Sequence, residues 1–226
     1  MVQTLKPSDK PIRKEFCVDF QAKLEENGFA NRLVFTDEST FHLCGKVNRH
    51  AILGHGKSTS HNRTSSLFSE GERFYSHNVF GSFFFVEKSI IGYIFQGMLS
   101  EWLFPQLVEV VPGFILQLDD APPHRHNNVH EYLNDRLPHR WTELAGANDL
   151  SMLCWPARSP DLTPCDFFLW CFVKDKVFEP PLPEDSQELK QRITNVLNAL
   201  TGNLLSRVWQ ELYYRVDIGV SPEEHT

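Results

Sequence analysis

The sequence predicts an α/β domain built on a mixed sheet, with helices against the sheet and two further helices closing the chain. Two patterns predict it. Short apolar runs bounded by turn residues, such as Leu33 to Thr36, Phe83 to Val86 and Phe114 to Leu118, have the length of strands. Segments of helical periodicity interleave with them and then take over from Asp166 onward. With 226 residues, 41% of them hydrophobic, the chain can bury one sizeable core.

Taken in order, Met1 to Arg13 contains Pro7 and Pro11 and reads as an extended leader, residues 1–14. From Glu15, the spacing of Phe16, Phe20 and Leu24 predicts a helix that stops at Asn27-Gly28. Leu33 to Thr36 is a strand, with Thr40 to Leu43 as its hairpin partner after a turn. Ala51 to Asn78, rich in Ser, His, Gly and Asn, shows neither period and leaves a gap. Phe83 to Val86 and Ile90 to Tyr93 read as two strands around a turn at Glu87 to Ser89. Met98, Leu99, Trp102, Leu103 and Leu107 then suggest a helix interrupted by Pro105. After the central strand come a helix from Asn127 to Leu137, a loop from Arg140 to Leu150 and a short strand from Ser151 to Trp155. Asp166 opens the next helix, and two amphipathic stripes, Leu189 to Leu200 and Leu204 to Val216, close the fold. One domain over residues 15–218 with a tail at 219–226 is the expected organisation.

The net charge of −7 and a pI near 5.8 argue against a nucleic-acid-binding surface spread over the whole chain. Local basic or titratable clusters remain at Arg13-Lys14, Lys46 to His50 and His124 to His130, each also explained as solvated surface. The cysteines, Cys17, Cys44, Cys154, Cys165 and Cys171, are odd in number and scattered, with no C-x-x-C pair and no signal peptide ahead of them. That usage indicates a reducing compartment, cytoplasm or nucleus. No apolar run is long enough to cross a bilayer.

Three apolar runs each deliver an acid: the first ends at Asp37-Glu38, the second at Asp119-Asp120, and the third leads through a Pro-rich loop to Asp161 and Asp166. Carboxylates are costly inside a covered sheet, so they belong where strands end. Oxygen ligands from separate elements are what Mg²⁺ or Mn²⁺ needs in order to act on phosphodiesters. Each acid alone also has an ordinary explanation. Asp37 and Glu38 can be a polar strand end, and Asp119-Asp120 the start of a turn. Asp166 can be an acid at the third helical position behind a Thr163 cap and Pro164.

The segments Phe35 to Phe41, Leu118 to His124 and Ser159 to Trp170, in that order, resemble the three signature segments of mariner-superfamily DDE transposases. Gly45 to His50 and Trp209 to Ile218 are similar to an insect-type branch of that family. The resemblance implies an RNase H-like catalytic domain, cleavage of DNA strands at transposon ends and transfer of the freed 3′ hydroxyl into target DNA. It implies two Mg²⁺ or Mn²⁺ ions, with Asp37 between them, Asp119 holding one and Asp166 the other. His124 matches a family position near the site, and a helix-capping role fits it equally well. The implied partners are transposon ends, target DNA and further copies of the chain, with the nucleus as the place of action and no membrane.

The chain also departs from the family. It starts at what resembles the linker helix, so the family's helix-turn-helix modules are expected to be missing, as in the product of a truncated element. Two sheet strands are expected after the first acid, yet 51–78 lacks their pattern and reads as divergent or decayed. Asp120 adds a charge where the family has a small or amide residue. The gap from Asp119 to Asp166 is long, with Arg140 to Leu150 as the insertion. Damage at 51–78 supports an alternative, a non-catalytic RNase H-like remnant that binds nucleic acid or protein. A third reading takes His124, His126 and His130 as zinc ligands, although their spacing matches no standard site.

Overall fold

The computed structural model describes residues 5–43, 61–70, 77–85, 89–119, 121–143, 146 and 148–221, with backbone alone over 61–70 and at 77 and 78. Six strands form a single sheet in the order β3-β2-β1-β4-β5-β6. The strands are β1 (Leu33–His42), β2 (His61–Glu70), β3 (His77–Phe85), β4 (Ile115–Gln117), β5 (Trp141–Glu143) and β6 (Leu153–Cys154). β1 pairs antiparallel with β2 and parallel with β4, and from β4 through β6 the pairing stays parallel. The mixed α/β sheet expected from the sequence is therefore present.

Strand alternation in β1 splits the core in two. Phe35 and Phe41 join the cluster beneath α1 (Asp9–Glu25), α5 (Trp170–Val177), α6 (Ser186–Asn198) and α7 (Gly202–Val220). Val34 joins the opposite cluster, beneath α2 (Gly92–Gly97), α3 (Phe104–Val110) and α4 (Asn127–Arg136). Local signals set the helix ends. Asp185 caps α6 by accepting from the Glu188 N–H at 2.8 Å. Gly28 takes a φ of 75° just after α1, a conformation that costs glycine little.

Several elements differ from the sequence reading. α1 starts at Asp9, so residues 9–14 are helical rather than extended, and Pro11 sits in the first turn, where its missing N–H costs nothing. Thr40 to His42 continue β1 instead of turning back, because β2 pairs along the whole strand from Val34↔Ser69 to His42↔His61. β2 itself lies inside the stretch that showed no period. Ile90 to Tyr93 forms no strand. A helical run starts at Gly92, passes a wide turn at Met98–Leu103 and continues into α3, with Pro105 accommodated at the head of that helix. β5 lies within the segment expected to be a loop. Its three residues are too few to show a period.

Candidate active site

Asp37 lies five residues into β1 and is 3% exposed. One carboxylate oxygen accepts from the indole N–H of Trp170 at 2.6 Å, the other from the Glu38 N–H at 2.8 Å. Such charge-assisted bonds make burial of a carboxylate tolerable. Burial still raises its pKa well above the usual value, helped by the charges of Asp166, Asp119 and Glu38 and opposed by the Trp170 bond.

Asp119 follows the end of β4, where the chain turns before Pro122 and Pro123. Its Oδ1 accepts from the Ala121 N–H at 3.0 Å, closing an Asx turn, and lies 2.8 Å from Nδ1 of His124. His124 is fully buried against Phe95, with ring centroids 4.3 Å apart, and its Nε2 is 3.3 Å from the Glu38 carboxylate. Burial alone would strip its proton; Glu38 and Asp119 outweigh that and hold its pKa well above the ordinary value. His124 thus joins Glu38, midway along β1, to Asp119 beyond the end of β4; the acids of β1 lie inside the strand and not at its end, because β2 pairs past them. The cap of α4 is His126, whose ring accepts from the Asn128 N–H at 3.4 Å.

Asp166 arrives differently. A short turn at Pro160–Leu162 leads to Thr163 and Pro164, and the chain then winds through a wide helical turn at Cys165–Leu169 into α5. The Asp166 N–H donates to the Thr163 carbonyl at 3.0 Å, whereas the buried Thr163 hydroxyl has no hydrogen-bond partner. A side-chain cap at Thr163 therefore does not account for the acid. Asp166 is half-buried, and its pKa is pushed up to about 7, by burial first and by the charge of Asp119 second. Asp161 turns away to ion-pair with Arg13 of α1, with Nη1 to Oδ1 at 2.9 Å.

The three acids from β1, the end of β4 and the head of α5 thus share one electrostatic field. Among the described residues, no three Asp, Glu, His or Cys side chains are already drawn together as an ion's ligand set. The donor chemistry nevertheless fits a hard divalent ion: carboxylate oxygens only, with the pKa values of Asp37 and Asp166 raised by burial first and then by neighbouring carboxylates, Asp166 for Asp37 and Asp119 for both. Asp120 lies outside the described residues. The three histidines go to different surroundings: His124 to Asp119 and Glu38, His126 to Tyr93 at 5.2 Å between rings, His130 to Glu143 and Asp149.

Three features escaped the sequence. Trp170 donates to Asp37 from α5, and Lys174, four residues further on, places its buried ammonium 5.5 Å from the Phe41 ring, although their four-residue steps from Asp166 are visible in the chain. His130 bridges Glu143, at 2.8 Å, and Asp149, at 2.9 Å, on the α4 side of β5. Nothing in the sequence pairs those residues.

No family model matches the chain, and no curated protein matches it in sequence. Solved structures do. The chain superposes on the Mos1 transposase paired-end complex with left transposon end at a TM-score of 0.72 and 17% identity, covering 96% of this chain and 63% of that one. The Mos1 strand transfer complex gives a TM-score of 0.72 at 17% identity, with 97% and 63% covered. The catalytic domain of Mos1 mariner transposase alone gives 0.70 at 19% identity, with 97% and 96% covered. The chain spans about 63% of the length of the longer Mos1 chains and nearly all of the isolated domain. It therefore has the RNase H-like fold of a mariner transposase catalytic domain.

Proposed function

We propose that residues 15–218 form a DDE-type catalytic domain that cuts DNA phosphodiesters and transfers the freed strand end. The observation that carries the reading is the meeting of Asp37, Asp119 and Asp166 in one field on this fold. When bound, two Mg²⁺ or Mn²⁺ ions would stabilise the attacking and leaving oxygens of an in-line displacement. Asp37, Asp119 and Asp166 would be the residues that hold them. Mos1 structures with Mn and with Mg support the choice of ion.

The chain's own residues prepare the site. Trp170 fixes one oxygen of Asp37, and the Asx turn together with His124 fixes Asp119. Burial of Asp37 keeps water from competing for its oxygens, so its charge acts at low dielectric. The partners in this reading are transposon ends and target DNA, joined by paired copies of the chain, in the nucleus. Mos1 in complexes with transposon ends and in a strand transfer complex supports the DNA partners.

The experiment is nicking of supercoiled plasmid, and joining of a labelled 3′-hydroxyl oligonucleotide to it, by the purified chain with Mn²⁺ or EDTA. Metal-dependent nicking that Asp166→Asn abolishes is the expected result. A folded protein that binds DNA and never cuts it, or cuts it equally well as Asp166→Asn, would overturn the reading and leave a non-catalytic binding module.

A further inference from the structure

The loop that delivers Asp166 is gripped from outside the site. Arg13 of α1 has a side chain that is 12% exposed, and its guanidinium meets the Asp161 carboxylate with two bonds, Nη1 to Oδ1 at 2.9 Å and Nη2 to Oδ2 at 2.5 Å. Such fork-to-fork pairing fixes direction as well as distance. One helical turn earlier, the buried Asp9 takes Arg158 of the same loop in the same way, accepting from Nε at 2.6 Å and from Nη2. Phe16, nearly one turn after Arg13, packs edge-on against Trp155 with ring centroids 5.0 Å apart. One stripe of α1 therefore holds a loop that lies 148 positions away in the chain.

From Asp161 the backbone carries that grip inward. The Leu162 N–H donates to the Ser159 carbonyl at 3.1 Å, the Thr163 N–H to the Pro160 carbonyl at 3.2 Å, and the Asp166 N–H to the Thr163 carbonyl at 3.0 Å. Ser159, Leu162 and Thr163 are buried, so water does not compete for this turn. A displacement of Asp161 is thus passed on to Asp166. Arg215 of α7 holds the other side: its Nη1 donates to the Asp161 carbonyl at 3.4 Å, and its guanidinium lies 4.4 Å from the ring of Phe167, the residue after Asp166.

We propose that Arg13 is a positioning residue for Asp166: by gripping Asp161 it fixes where the third carboxylate stands relative to Asp37 and Asp119. The assignment rests on the metal-site reading above; the grip on the turn does not. With Asp161 33% exposed, the pair contributes little to global stability, so its effect is local.

Wild type, Arg13→Met, Asp161→Asn and the double variant are compared by amide hydrogen exchange in EDTA, and then by Mn²⁺ titration followed through the electron paramagnetic resonance signal of free Mn²⁺. Exchange of the Leu162, Thr163 and Asp166 amides should quicken roughly fivefold in Arg13→Met and no further in the double variant, because the bond is already gone. Mn²⁺ binding should weaken about tenfold, the effect of disturbing a group that orients a metal ligand. Arg13→Lys, which keeps the charge and loses the fork, should fall between. Arg192→Met, which cuts the Arg192–Glu188 pair within α6, should match wild type in both measurements. If Arg13→Met does not fold, Asp161→Asn, which cuts the same bond from its other end, decides alone. Unchanged exchange at these amides would overturn the proposal. So would quickened exchange with wild-type Mn²⁺ affinity, which leaves Arg13 a brace of the turn only. Quickened exchange in a chain whose wild type binds no Mn²⁺ would support the grip on the Asp166 turn and reject the metal site.

Discussion

Trp170→Phe tests the support of the candidate site without touching an acid. The substitution removes the indole N–H that donates to Asp37 at 2.6 Å and leaves a carboxylate that is 3% exposed short of one donor. A hydrogen bond to a charged group contributes about 1.5–3 kcal/mol, and loss of the indole's outer atoms adds about 1 kcal/mol of packing. Together these amount to a fall of roughly 5–15 °C in the melting midpoint for a domain of this size. Trp141→Phe supplies the comparison. Trp141 is fully buried in the opposite core, and its indole nitrogen has no hydrogen-bond partner, so its truncation removes the same atoms and breaks no bond. Differential scanning fluorimetry at pH 8 in EDTA should therefore show Trp170→Phe losing several degrees more than Trp141→Phe. Equal losses would refute the claim that Trp170 braces Asp37.

Three further outcomes follow from the geometry. A Cβ at Gly219 would lie 2.4 Å from the Cys17 sulfur, so Gly219→Ala should force α7 off α1 and cost about 1–3 kcal/mol in urea melts, with Cys17→Ala restoring most of it. Asp166 binds its proton more tightly when folded, so its contribution is full below its unfolded pKa, about 4, and is lost as pH rises through its folded value of about 7. In EDTA, Asp166→Asn should accordingly gain stability over wild type across that window, read as a widening midpoint difference. His130→Phe strands the fully buried Glu143 and should cost about 3 kcal/mol by chemical denaturation. Its two carboxylate partners raise the His130 pKa, so that penalty is full below about pH 6.5 and shrinks as pH rises through the folded value.

Two of the segments that carry the site were readable because each ends abruptly, whereas β1 runs on past Asp37 to His42. An apolar run that stops at Asp119 before Pro122, and a Thr163-Pro164 turn before Asp166, leave few alternatives for the backbone. Amphipathic stripes likewise revealed α6 and α7, whose buried faces include Leu189, Ile193 and Leu197 and then Leu205, Trp209 and Leu212. The misread parts share a physical reason. β2 is a long strand whose pairing to β1 and β3 supplies order that its polar sequence does not announce. Ile90 to Tyr93 has strand-like composition, but Gly92 packs so tightly on His126 that a Cβ would lie 2.2 Å from that side chain, and the chain turns helical there. His124 and Lys174 could not be placed from local spacing, because their partners lie on other elements.

The central claim is that Asp37, Asp119 and Asp166 together hold divalent metal. Asp119 tests it most cleanly, since its side chain is 26% exposed and its loss should leave the fold intact. Titration of Mn²⁺ into the purified chain, followed by the electron paramagnetic resonance signal of free Mn²⁺, should show saturable binding. Asp119→Asn should weaken that binding at least tenfold while its melting midpoint in EDTA stays within a few degrees of wild type. Equal binding by the variant, or no saturable binding by the wild-type chain, would contradict the account.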